Sequence, residues 1–288
     1  MILLWHEGAL GDLLLSRLAV AALKEQAEHL VLCARHEARR LFLEAGLVDE
    51  ALPTSLSLLE RLAPAEKVYL FASQPALREV LRPRFGPRVC FVPTRPSSGR
   101  HLAWQALEAV GARSIPVRGL RLAPRGLAPA PKGPLLLHPG SGGRYKCAPL
   151  EFWQALYVFL KGLGQEPLFI LGPAEADWAQ TLGGFSWQVC TELDQALSLL
   201  RGARGFLGHD SGLTHLAAAL GVPVWAVFGP TAWREWAPFG SPVTLHVRPC
   251  SCLAQRREPR ACPRPCLSQL KLEEVRLSLL HWLAEAVL

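Results

Sequence analysis

The sequence predicts an α/β protein made of two doubly wound, parallel-sheet domains in tandem. Three observations carry this. Short apolar runs of strand length alternate with helical stretches from end to end. The alternation stops once, over residues 118–134, where Pro124, Pro129, Pro131 and Pro134 stand among Gly119, Gly126 and Gly133. Glycine-bearing turns follow the first strand of each half. A chain of 288 residues suits two such domains of ordinary size.

In the first half, Ile2–His6 reads as a buried strand, because its apolar run does not alternate. Gly8 and Gly11 interrupt the pattern, and residues 12–26 follow as a helix. Residues 30–33 form the next strand and 36–45 the next helix. Strands over 68–71 and 89–92, with helices over 76–81 and 101–110, complete the series. Strands separated by helices pair in parallel through right-handed crossovers.

The second half repeats the scheme: strand 135–138, helix 150–161, strand 168–171, helix 175–182, strand 187–189 and helix 194–201. An apolar strand from Gly205 then delivers the turn Gly208-His209-Asp210-Ser211, which opens an Ala/Leu-rich helix closed by Gly221. Asp210 or Ser211 is placed to cap that helix. A buried strand over 222–228 ends in Gly229-Pro230-Thr231, and a strand over 243–247, a cysteine-bearing loop and a helix over 272–287 finish the chain. The expected divisions are a first domain at 1–118, a linker at 119–134, a second domain at 135–270 and a C-terminal helix at 271–288 that packs back on the first domain. Facing strand ends would leave a cleft between the domains, able to hold two substrates.

Composition narrows the classes. Half the residues are hydrophobic, which suits a packed globular protein and not a disordered one. The longest apolar stretch, residues 216–228, is cut by Gly221 and Pro223 and falls short of a membrane span. Leu3-Leu4-Trp5 is short, follows no basic segment and leads into Glu7 and Asp12, so it does not read as a signal peptide. A cytoplasmic place of work is the expectation, with peripheral contact at the inner face of the membrane. The net charge of +7, carried mostly by arginine, favours acidic or phosphorylated partners, although a solvated basic surface produces the same number.

Four motifs bear on chemistry. The turn at Asp210 presents free N–H groups and the positive end of a helix dipole, an anion site at the carboxyl ends of the strands. Gly8-Ala9-Leu10-Gly11-Asp12 is not the dinucleotide fingerprint, which needs a third glycine and an acidic end to the next strand; here that strand ends in Cys33-Ala34-Arg35. Asp12 either caps the helix or serves as a base, and Glu7 is a second carboxylate at the same edge. The loop His138-Pro139-Gly140-Ser141-Gly142-Gly143-Arg144-Tyr145-Lys146 lacks Walker A spacing, yet its glycines let backbone approach a phosphate and Lys146 adds a point charge. Cys250, Cys252, Cys262 and Cys266 make two close pairs that could hold a structural zinc, form disulfides or stay reduced. Cys33, Cys90 and Cys190, at or near strand ends, read as core.

Taken in order across both halves, Gly8-Ala9-Leu10-Gly11-Asp12, the loop from His138 to Lys146 with Pro149, and Asp210-Ser211-Gly212-Leu213-Thr214-His215 followed by Gly229-Pro230-Thr231 resemble glycosyltransferase family 9, the ADP-heptose:lipopolysaccharide heptosyltransferases. The resemblance implies a GT-B-like fold, with acceptor bound by the first domain and nucleotide sugar by the second. It implies inverting transfer of a heptose-like sugar from a nucleotide-diphosphate donor, ADP-linked, to a glycan or glycolipid hydroxyl. No cofactor beyond the donor is implied, no catalytic metal and no nucleic-acid partner.

By the same resemblance Asp12 is the base. Ser141, Gly142, Lys146, Ser211, Gly212 and His215 surround the phosphates, Asp210 holds the donor sugar, and Glu175 and Leu193 contact the nucleoside. Two positions depart from the family pattern: Ala148 stands where an aromatic residue usually precedes Pro149, and Arg17 stands where the first helix often has proline. On the residues alone, another nucleotide-sugar enzyme (an epimerase or hydrolase) and a basic, zinc-stabilised nucleic-acid module remain open. The latter leaves the glycine loops unexplained.

Overall fold

The computed structural model describes residues 1–55, 57, 62, 65–72, 75–97, 99–122, 133–251 and 266–287. The chain divides into two compact units, Met1–Gly126 and Leu127–Leu288. Most of the expected linker lies outside the described residues.

The first unit carries strands β1 (Ile2–His6), β2 (Leu30–Ala34), β3 (Glu50–Leu52), β4 (Lys67–Phe71) and β5 (Val89–Phe91) in the order β3-β2-β1-β4-β5. Every pairing is parallel. β1 sits at the centre, so Leu3 and Leu4 are fully buried. Leu3, Trp5, Val31, Val68, Leu70, Leu81 and Phe85 form one core face, each large apolar side chain contributing about 1.5–3 kcal/mol by burial. β3 escapes the apolar pattern because it is three residues long, begins with Glu50 and lies at the sheet edge. Cys90, expected in the core, is half-buried because β5 is the other edge, whereas Cys33 and Cys190 are buried.

The first helix differs from the single stretch expected over 12–26. It begins earlier, as α1 (Leu10–Leu15), breaks at Ser16 and resumes as α2 (Arg17–Lys24). Both side chains at the break divert carbonyls: Ser16 Oγ donates to Leu13 O at 2.7 Å and Arg17 Nη1 to Leu14 O at 2.7 Å. Helices α3 (Arg39–Glu44), α4 (Pro75–Phe85) and α5 (Leu102–Ala109) complete the unit.

The second unit has a six-stranded parallel sheet: β6 (Leu135–His138), β7 (Pro167–Leu171), β8 (Trp187–Val189), β9 (Gly205–His209), β10 (Val224–Phe228) and β11 (Val243–Val247), ordered β11-β10-β9-β6-β7-β8. Its helices are α6 (Leu150–Gly162), α7 (Leu193–Arg201), α8 (Gly212–Leu220), the short α9 (Trp233–Trp236) and α10 (Leu272–Trp282). The helix expected over 175–182 is instead a tight 3₁₀ stretch, Pro173–Ala179. Glu175 N–H donates to Gly172 O, while its carboxylate accepts from Gly172 N–H, and both bonds favour the narrower winding. Val275, Leu279 and Trp282 of α10 are buried with Leu135, Phe169 and Trp225 in the second unit's own core, where the Trp282 ring fills the space beside Gly205. Among the described residues, no helix is long and apolar enough to cross a membrane.

Candidate functional site

In the first unit, the end of β1 and the start of α1 form one knuckle. His6 is 2% exposed and stacks on Phe71 at 5.3 Å between ring centroids. Burial pushes its pKa down to about 4, against a smaller opposing contribution from the Asp12 backbone, so the ring is neutral and Nδ1 accepts Gly8 N–H at 3.1 Å. Gly8 is required by close approach: a Cβ there would fall 2.6 Å from Asp12 Cβ and 2.7 Å from His6 Cε1. Asp12 is half-buried and its Oδ2 accepts Ala9 N–H at 3.0 Å, so the carboxylate does cap α1 and is held in place by doing so. Glu7 sits in the same turn with Oε1 bound to the Trp5 indole N–H at 2.6 Å. Arg17 is fully buried, donating to Leu14 O and, from Nε and Nη2, to Leu120 O at 3.3 Å; burial lowers its pKa to about 9.

In the second unit, β6 and β9 are neighbours with His138 opposite Gly208, so the loop after β6 and the turn after β9 emerge side by side. Three bonds stitch them together. Ser141 Oγ donates to Asp210 O at 2.6 Å, Lys146 Nζ to Asp210 Oδ2 at 2.6 Å, and Ala148 N–H to His209 Nε2 at 2.9 Å. His215, one turn into α8, brings Nε2 to 3.6 Å from Asp210 Oδ1. Burial by itself would raise the Asp210 pKa. The His215 contact and the Lys146 charge overcome that and hold the carboxylate well below its usual range.

Ser211 is the N-cap of α8, its Oγ accepting Thr214 N–H at 3.3 Å, and Gly221 ends the helix at φ 89°. The earlier N–H groups of the first turn, at Gly212 and Leu213, have no carbonyl within the helix to bond, which leaves the positive end of the helix beside Asp210. His215 Nδ1 is buried and, among the described residues, has no hydrogen-bond partner.

The loop glycines divide by role. A Cβ on Gly140 would fall 2.2 Å from Glu175 Cδ, so this glycine makes room for a buried protein carboxylate. Gly142 is exposed, and a Cβ added there would meet nothing within 4 Å. Glu175 follows β7 and Leu193 opens α7 just after β8. Along the strand order β9-β6-β7-β8, the expected site residues therefore lie in sequence on one carboxyl edge: Asp210, the loop with Ser141 and Lys146, Glu175, then Leu193. Leu193 is half-buried and is not among the bonded group.

His209 was not singled out by its sequence context. It is fully buried, meets Trp153 edge-on at 4.9 Å, and has its pKa pushed down to about 3 by burial. A histidine directly before the Asp210 turn, at the end of an apolar strand, was the available signal. Cys252 and Cys262 lie outside the described residues. Of their expected partners, Cys266 packs against Gly229, and among the described residues no three His, Cys, Asp or Glu groups are placed to share a metal.

The model of glycosyltransferase family 9 (heptosyltransferase) matches residues 112–264, more than half of the chain. The chain belongs to glycosyltransferase family 9. Lipopolysaccharide heptosyltransferase 2 of Escherichia coli (strain K12) is 38% identical over 69 residues, which are 24% of this chain and 18% of that protein, so the chain spans about a fifth of the curated relative it matches. A family 9 glycosyltransferase structure from Veillonella parvula DSM 2008 superposes with TM-score 0.80 at 16% identity, covering 99% of this chain and 97% of that one. E. coli heptosyltransferase WaaC with ADP does so with TM-score 0.70 at 16% identity, covering 98% and 99%.

This family 9 chain thus has the GT-B-like α/β fold of the heptosyltransferases, with two parallel sheets. The matched stretch contains Ser141, Lys146, Glu175, Leu193 and Asp210 through His215; Asp12 precedes it. Ala148 and Arg17, read from the sequence as departures from the resemblance, each have a structural partner. Ala148 is buried and tied to His209, and Arg17 serves as a buried clamp on carbonyls of α1 and of the segment around Leu120.

Proposed function

We propose that this family 9 chain is an inverting glycosyltransferase moving a heptose from ADP-heptose to a hydroxyl of a cell-envelope glycan or glycolipid. The observation that carries the proposal is the convergence of Ser141, Lys146, Asp210, His215 and the first turn of α8 at one sheet edge. That cluster combines what a sugar joined to a diphosphate requires: a cation, free N–H groups and a buried carboxylate. The ADP-linked donor is supported by WaaC, solved with ADP and with ADP-2-deoxy-2-fluoro heptose.

Asp12 takes the proton of the acceptor hydroxyl as its oxygen attacks the anomeric carbon, on the face opposite the diphosphate. The bond to the diphosphate breaks, and its electron pair leaves with ADP. Lys146 and the N–H groups at Ser211 and Gly212 stabilise the charge that builds on the leaving oxygen, a preorganised arrangement that needs little rearrangement during reaction. Asp210 accepts hydrogen bonds from the sugar hydroxyls, and Glu175 and Leu193 adjoin the nucleoside. In this reading protein groups supply the positive charge, with no catalytic metal, and the enzyme works in the cytoplasm at the inner face of the membrane.

The test is ADP release from ADP-heptose with and without a truncated lipopolysaccharide core acceptor. Release that depends on acceptor, and is unchanged after dialysis against EDTA, is the expected result. Release without acceptor would make the chain a hydrolase, conversion of the donor to an isomeric nucleotide sugar without release would make it an epimerase, and binding of UDP or GDP in place of ADP would reassign the donor.

A further inference from the structure

The cation of this site is already engaged. Lys146 Nζ lies 2.6 Å from Asp210 Oδ2, with side-chain exposures of 25% and 9% respectively. A diphosphate brought to Lys146 therefore meets a buried carboxylate beside it, and the two anions repel. Asp210 does not escape by protonation, since His215 and Lys146 keep it ionised. Nor does the loop readily carry Lys146 away, because Ser141 and Ala148 tie both flanks of it to the Asp210 turn. The part left free to move is the lysine's own four-carbon stem.

We propose that Lys146 and Asp210 form an exchange pair that distinguishes the intact nucleotide sugar from the nucleoside diphosphate left after transfer. When the donor binds, its sugar hydroxyls donate to Asp210 in place of the ammonium, and Lys146 turns to the diphosphate. Both buried charges stay compensated. A nucleoside diphosphate without the sugar brings no such donors. Taking Lys146 from Asp210 then leaves the carboxylate with His215 as its one remaining partner among the described residues, so ADP is held weakly. Once the sugar has left with the acceptor, Asp210 reclaims Lys146 and ADP departs. Asp210 acts here by positioning Lys146, in addition to touching the sugar. The inference rests on the donor-site reading above and adds to it the discrimination between donor and product.

The test is calorimetric titration of the full chain with ADP and with ADP-heptose. Asp210→Asn keeps the shape of the side chain but frees Lys146, so it should bind ADP about tenfold tighter than the wild type and lose preference for ADP-heptose. Lys146→Ala should bind ADP about tenfold more weakly. The wild type should bind ADP-heptose more tightly than ADP, a comparison that can overturn the exchange even if Asp210→Asn fails to fold. Unchanged or weaker ADP binding by folded Asp210→Asn overturns the exchange, as does a wild type with equal affinity for both ligands. Lys146→Ala that still loses ADP affinity would then keep the donor site itself. A wild type that binds neither ligand overturns the donor-site reading, and the exchange with it.

Discussion

The backbone N–H of Ala148 donates to Nε2 of His209 at 2.9 Å, joining the loop that carries Lys146 to the residue directly before Asp210. His209 accepts only while its ring is neutral, and burial keeps it so. Ala148 is small, and its amide is bound by an imidazole resting against Trp153.

His209→Leu should therefore destabilise the second unit by about 1–3 kcal/mol, since Ala148 N–H is left buried without an acceptor. It should also weaken ADP binding, because Lys146 loses one of the anchors of its loop. Urea unfolding and ADP titration of the variant check both. A variant as stable as the wild type, with the same ADP affinity, would remove His209 from the positioning of Lys146.

His6 and His209 predict a pH dependence of stability. Burial lowers their pKa values from 6.5 to about 4 and about 3, so the unfolded chain binds more protons than the folded one between those limits. The stabilisation is complete above pH 6.5 and declines as the pH falls toward 4 and 3. Each histidine contributes up to about 1.4 kcal/mol per pH unit in its window. Thermal midpoints measured from pH 7 to pH 4 should fall steadily, and a flat profile would count against neutral, buried rings.

Asp12→Ala should reduce transfer by about 10²–10⁴-fold while leaving ADP affinity nearly unchanged, the signature of a lost general base. Loss of the bond to Ala9 N–H also removes a cap, so a modest drop in stability of about 1 kcal/mol accompanies it. Asp12→Asn keeps the shape without the basicity and should be as inactive. Transfer at the wild-type rate in either variant would exclude Asp12 as the base.

Gly140 and Gly142 should respond oppositely to alanine. Gly140→Ala drives a Cβ into Glu175 and should cost about 1–3 kcal/mol of stability by overpacking. Gly142→Ala meets open space and should leave stability within about 0.5 kcal/mol. If the loop backbone approaches the diphosphate at Gly142, the second variant weakens ADP binding without unfolding anything. Equal loss of stability in both would contradict the division of roles.

Much of the fold was legible because its signals are local. Apolar runs mark β1, β2, β6, β9 and β10, and Gly221 at positive φ closes α8 where the sequence places its end. What escaped was short or depended on distant partners. β3 has three residues and a charge, the break at Ser16 arises from two side chains choosing carbonyls, and the 3₁₀ form of Pro173–Ala179 comes from Glu175 folding back on Gly172. The candidate site was legible as motifs, each ambiguous when taken alone.

By itself the sequence determined the alternation of strand and helix, the two-part organisation of the chain and the family to which it belongs. Hydrophobic periodicity and turn chemistry act over a few residues, so the linear order preserves them. Only the tertiary structure decided that Lys146 is paired to Asp210, 64 positions away, that His209 holds the loop amide, and that Gly140 yields its space to Glu175. Those relations follow from β6 lying beside β9 and β7 in the sheet. Strand order is set by packing over the whole unit, and no local pattern records it.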